Sequence, residues 1–105
     1  MRITFQRQGG LAFFPALSQP VVIDTAQLEA APRAALERLV QAVDFFALPA
    51  TVGRKRQDAA DTREYTVTVE EAGRSATVRV LEPFDNADVE ALIAALEAHA
   101  RAHRP

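Results

Sequence analysis

The stretch Arg33 to Pro49, RAALERLVQAVDFFALP, constrains the fold more than any other part of the chain. Leu36, Leu39, Val40, Val43 and Phe46 recur at i, i+3, i+4, i+7 and i+10, which aligns them along one face of an α-helix. Glu37, Arg38, Gln41 and Asp44 take the opposite face. A short amphipathic helix draws most of its stability from packing, so this apolar stripe demands a partner surface, most simply a sheet.

The remaining segments supply that sheet. Ile3, Phe5 and the stem of Arg7 alternate with Arg2, Thr4 and Gln6, the period of two of a half-buried strand over residues 2 to 7. Gly9 and Gly10 break it, because paired glycines reach positive φ at little steric cost. Leu11-Ala12-Phe13-Phe14-Pro15 follows as either a short strand or an ordered loop, and core and interface are equally open to its large side chains. Val21, Val22 and Ile23, led by Pro20, read as a second or edge strand. Asp24 and Thr25 bring N-cap chemistry with Gln27 in capping-box register, so a turn near residue 25 precedes a main helix starting at Ala31 or Pro32, with Leu28 as an anchor beneath it.

After Pro49 the stretch ATVGRKRQDAADTR shows no period, and a structureless loop of that length in a compact domain is usually functional or mobile. Tyr65, Val67 and Val69, then Ala76, Val78 and Val80, alternate with polar residues on either side of Glu71-Ala72-Gly73-Arg74, which predicts a β-hairpin. Asn86 or Asp85 caps a last helix over 87 to about 102, whose Val89, Leu92, Ile93, Leu96 and Ala100 form its apolar face. The expectation is one α+β domain spanning residues 1–105, with an antiparallel sheet of four or slightly more strands packed on the central helix plus the C-terminal helix.

Composition removes several function classes. The chain has no cysteine, which excludes disulfides and thiolate zinc sites. Twelve basic and fourteen acidic residues leave a formal charge of -2 with no basic stripe, so no nucleic-acid partner is expected. No run approaches the roughly 20 apolar residues that span a bilayer, and MRITFQRQGG has no signal-type apolar core. The expectation is a cytoplasmic chain, with no membrane partner. His99 and His103 stand four apart near the C-terminus but lack further ligands, so no metal site or cofactor is assigned. Asp58, Asp61 and Glu64 do not match a calcium loop and read as solvated acids, and Arg54, Lys55 and Arg56 as a solubilising cluster. Ser18 and Ser75, the two serines, lack a nucleophile-elbow context, and no catalytic set is nominated.

Three features carry a family resemblance. Met1-Arg2-Ile3 runs into Gly9-Gly10-Leu11-Ala12, the helix ends Asp44-Phe45-Phe46-Ala47-Leu48-Pro49, and Asp61 precedes the Tyr65-Thr66-Val67-Thr68-Val69 hairpin with Gly73-Arg74 at its turn. In their order and spacing these resemble emfourin, a bacterial family of protein inhibitors of protealysin and related thermolysin-family metallopeptidases. The resemblance implies a non-catalytic domain with a cystatin-like sheet and helix, no cofactor of its own, and a zinc that belongs to the target enzyme. A sheet edge presenting loops can wedge into the enzyme's cleft, and at the level of whole loops the expected protein-binding residues are Gly9, Gly10, Leu11, Phe13, Val52, Asp58 and Asp61, in a chain expected to be a monomer when free. Thermolysin-like clefts take a bulky apolar side chain beside the scissile bond, which the resemblance assigns to Leu11, Phe13 or Val52. The chain departs from the family where Phe13 replaces a further glycine and where Ser75-Ala76 replaces a histidine before the last strand. The alternative is a non-catalytic interaction module for another partner.

Overall fold

The computed structural model describes residues 1–8, 20–53, 64–81 and 86–102. Strand β1 is Arg2–Gln8, β2 Val21–Asp24, α1 Ala30–Ala42, β3 Thr51–Val52, β4 Glu64–Glu71, β5 Arg74–Leu81 and α2 Ala87–Ala102. The five strands form one sheet in the order β2-β1-β4-β5-β3. All neighbours are antiparallel except β3, which lies parallel to β5. The sheet is therefore mixed, where the sequence predicts a purely antiparallel one. The difference is Thr51–Val52, a strand too short to show a period and hidden in the stretch that reads as a loop.

Alternation along the strands divides the sheet into two faces. Ile3, Phe5, Ile23, Tyr65, Val67, Val69, Val78 and Val80 fall on one face and are buried. Both helices supply the other half of the same core: Leu36 and Val40 from α1 with Val43 at its C-cap, and Val89, Leu92, Ile93 and Leu96 from α2. Stacked rings of Phe5 and Tyr65, with centroids 5.8 Å apart, link β1 to β4 inside it. Arg7 follows the inward alternation, its stem beside the core and its guanidinium 3.3 Å from Glu97 on α2. On the second face Thr4, Thr66 and Thr68 are half-buried and Thr77 and Arg79 exposed, so one side of the sheet meets solvent among the described residues.

The central helix starts and stops for local reasons. Asp24 accepts a hydrogen bond from the Ala26 N–H at 3.0 Å and caps a single 3-10 turn over Thr25–Gln27. Leu28 then packs on the core and α1 runs from Ala30, with Pro32 inside its first turn. At the other end Asp44 takes a left-handed conformation with φ 53° and breaks the helix. A 3-10 turn, Phe45–Ala47, follows, and the helical phase is reset. Consequently Phe45 is the deeply buried ring, whereas the uninterrupted helical count places Phe46 on the apolar face. Phe46 is half-buried, packs edge-on to Phe45 at 6.2 Å, and carries the Arg74 guanidinium 4.2 Å above its ring. Both rings serve the junction of helix and sheet.

The hairpin and last helix lie where the pattern puts them. Ala72 and Gly73, at φ 53° and 79°, make a two-residue turn with both central residues at positive φ, as a type I′ turn requires. Asn86 caps α2, its Oδ1 accepting from the N–H groups of Asp88 at 2.9 Å and Val89 at 3.2 Å. The possible short strand over residues 11–15 lies outside the described residues. Among the described residues no helix is long and apolar enough to cross a membrane.

Candidate functional site

The strand register gathers the chain's long connections at one end of the sheet. Gln8 closes β1 opposite Glu64, and Glu64 opens β4 opposite Leu81, the last residue of β5. Val52 stands opposite Val80, so Gly53 comes next to Leu81 at the same end. Val21, where the chain re-enters the sheet, pairs with Phe5 toward that end as well. The described residues flanking segments 9–19 and 54–63 therefore lie together with Leu81, which precedes segment 82–85. The opposite end holds the hairpin turn and the Met1–Thr25 contact.

Gly9, Gly10, Leu11, Phe13, Asp58 and Asp61 lie outside the described residues, as do the basic cluster Arg54–Arg56 and His103. Val52 lies within them, on β3 at the sheet edge, with its side chain half-buried against the core. What β3 offers outward is thus mainly backbone and the exposed Thr51.

Gly53 is the residue whose role composition and period do not reveal. Its φ of +93° is one that L side chains rarely adopt. A Cβ there would stand 2.5 Å from the Leu81 carbonyl oxygen, a backbone atom with no freedom to swing aside. Close approach to the end of β5 and the exit of the chain from β3 both depend on a missing side chain. The sole clue in the sequence is a glycine directly after Thr-Val, which by itself reads as an ordinary loop glycine. Next to it the Arg79 N–H donates to the Ala50 carbonyl at 2.8 Å, tying the approach to β3 onto β5. On the solvent face the Arg79 guanidinium pairs with the Glu64 carboxylate, joining β5 to the start of β4. Glu64 is thus engaged in a cross-strand ion pair, where the sequence reads it as one of three solvated acids.

Among the described residues no three His, Asp or Glu side chains stand close enough to hold a metal ion. A shallow groove at the far end is lined by Met1, Arg2, Asp24 and the hairpin turn through Ser75. Along its floor Asp24, Arg2 and Glu70 occupy one cross-strand row and alternate in sign, so the groove favours no single charge.

Comparison with known proteins gives the lineage. The Emfourin family model matches residues 5–97, and the chain belongs to that family. Among solved structures, emfourin (M4in) from Serratia proteamaculans, titled an M4 family peptidase inhibitor, is similar at 20% identity and a TM-score of 0.40, over 87% of this chain and 84% of that one. No curated protein matches.

Proposed function

We propose that this chain inhibits thermolysin-like zinc metallopeptidases of the M4 family, protealysin-type enzymes in particular, by docking the Gln8–Gly53–Leu81 end of its sheet over the active-site cleft. The observation that carries this reading is membership of the Emfourin family over residues 5–97, whose solved member from Serratia proteamaculans is titled an M4 family peptidase inhibitor. The chain is itself no enzyme, as membership of an inhibitor family entails. Its contribution to affinity is preorganisation: a sheet end held by the Arg79–Ala50 hydrogen bond and the Gly53–Leu81 approach loses little freedom on docking. The protein-binding set Gly9, Gly10, Leu11, Phe13, Val52, Asp58 and Asp61 belongs to this proposal. Each of these residues lies on β3 or in a segment whose described flanks stand at that end.

Titration of a thermolysin-like enzyme with this protein, followed by cleavage of a peptide substrate, tests the reading, with a serine peptidase as control. The expected result is stoichiometric loss of the metallopeptidase activity alone. Unchanged activity across M4 enzymes, protealysin-type ones included, would overturn it and favour an interaction module for another partner.

A further inference from the structure

The end of β1 that takes part in the proposed docking is paired on one side. Among the described residues its ladder with β2 stops at Phe5, opposite Val21, whereas its ladder with β4 continues through Gln6 and Arg7 to Gln8. The hydrogen-bonding direction follows from the Thr25 N–H, which donates to the Met1 carbonyl at 2.9 Å and makes Met1 and Thr25 a bonded antiparallel pair. Bonded and non-bonded pairs alternate, so Gln6 and Gln8 turn their N–H and C=O groups to β4, and Arg7 turns its own to the side where the β2 ladder has ended. Gly9 and Gly10 follow directly in the sequence, and glycine gives a chain more backbone freedom than any other residue. The direction in which β1 leaves the sheet must therefore be set before them.

Arg7 is placed to set it. It is the last residue of β1 before the glycines on the core face of the sheet, opposite the buried Tyr65, and its Nη1 donates to Glu97 Oε2 on α2 at 3.3 Å. The two side chains are 31% and 21% exposed, so water screens the contact in part. Glu97 follows Leu92, Ile93 and Leu96, which seat α2 in the core, and the same carboxylate oxygen lies 3.9 Å from Arg101 one turn further along the helix. The acceptor is thus held by the helix, and the strand end is held by the acceptor. A partly exposed ion pair adds little to global stability, but a strand end with one neighbour feels its loss locally.

We propose that Arg7 and Glu97 are a positioning pair for peptidase inhibition, fixing the direction in which β1 leaves the sheet, so that breaking the pair weakens inhibition more than it weakens the fold. The inference rests on the proposed inhibition of M4 peptidases and deepens it by giving α2 a part in the docking end. A strand end already held in the free protein loses less freedom when it docks. Loss of the pair should therefore raise the inhibition constant about tenfold, the ordering cost of one or two side chains.

A double-mutant cycle of Arg7→Met, which keeps an apolar stem, and Glu97→Gln tests this, with Arg101→Gln as control. For each variant the inhibition constant is measured well below the thermal midpoint against an M4 peptidase that wild type inhibits, together with the midpoint and the amide exchange of Gln8 and Thr4. Each single variant is expected to inhibit about tenfold more weakly, the double variant no more weakly than either, and Arg101→Gln like wild type. The Gln8 N–H should exchange faster in both single variants, while the Thr4 N–H, where β1 is paired on both sides, keeps its wild-type rate. Wild-type inhibition by either single variant, losses that add in the double variant, an equal loss in Arg101→Gln, or unchanged exchange at Gln8 would each overturn the inference and leave the inhibitor reading standing. A wild type that inhibits no M4 peptidase would overturn that reading and the inference with it.

Discussion

The two ends of the sheet solve opposite problems with the same residue type. At the hairpin end Gly73 sits at φ +79° with open space around its Cβ position, and at the other end Gly53 sits at φ +93° with the Leu81 carbonyl oxygen 2.5 Å from it. The first glycine serves only backbone conformation. The second serves conformation and close packing together, so an edge strand of two residues can hold its place beside β5. The difference teaches that the hairpin end is a local device and the other end a tertiary one.

Substitutions break this comparison in graded steps. Gly53→Ala carries the largest expected effect: positive-φ strain and a backbone overlap together cost about 3 kcal/mol. The thermal midpoint should fall by more than ~10 °C, and inhibition of an M4 peptidase should weaken even well below that midpoint. Thr25→Val comes next. Thr25 is fully buried, and its hydroxyl lies 3.1 Å from the Met1 carbonyl oxygen and 3.0 Å from Glu37 Oε2. Removing it leaves the Met1 carbonyl with the Thr25 N–H alone and strips Glu37 of that partner, for a loss of about 2 kcal/mol in denaturant unfolding. Because this site closes the hairpin end, inhibition should persist in whatever fraction stays folded.

Gly73→Ala meets strain without overlap and should cost about 1 kcal/mol, a drop of ~4–8 °C, with full inhibition retained. Equal effects of Gly53→Ala and Gly73→Ala on inhibition would erase the functional distinction between the ends. The smallest change runs in the stabilising direction. Ala72 holds φ 53° without the help of a glycine or asparagine, so Ala72→Asn should add about 0.5 kcal/mol by fitting the type I′ turn, read as a raised denaturant midpoint.

Much of this fold is legible from residue order. The alternation at Tyr65–Val69 and Ala76–Val80 predicts a hairpin that the register pairs across Glu71 and Arg74. Asn86 and the Val89–Leu96 periodicity predict α2 with its bounds, because a capped amphipathic helix announces itself locally. Arg7 and Leu28 take the roles their positions suggest. Phe45 and Phe46 separate the two kinds of knowledge: both belong to the core junction, but which of them is buried depended on a left-handed Asp44 that no period encodes. For the candidate site, Val52 is placed on β3, and the remaining members lie outside the described residues.

By itself, then, the sequence determined the elements that stabilise themselves or repeat: β1, the β4–β5 hairpin, both helices, and the lack of a cysteine framework. Local hydrogen bonds, caps and periodic burial write those into consecutive residues. Only the tertiary structure decided that Thr51–Val52 is a strand, that the sheet is mixed, that Gly53 must lack a side chain, and that Gln8, Gly53, Glu64 and Leu81 meet at one end. Those facts depend on contacts between residues far apart in the chain, where the cause of a conformation sits on a neighbouring strand.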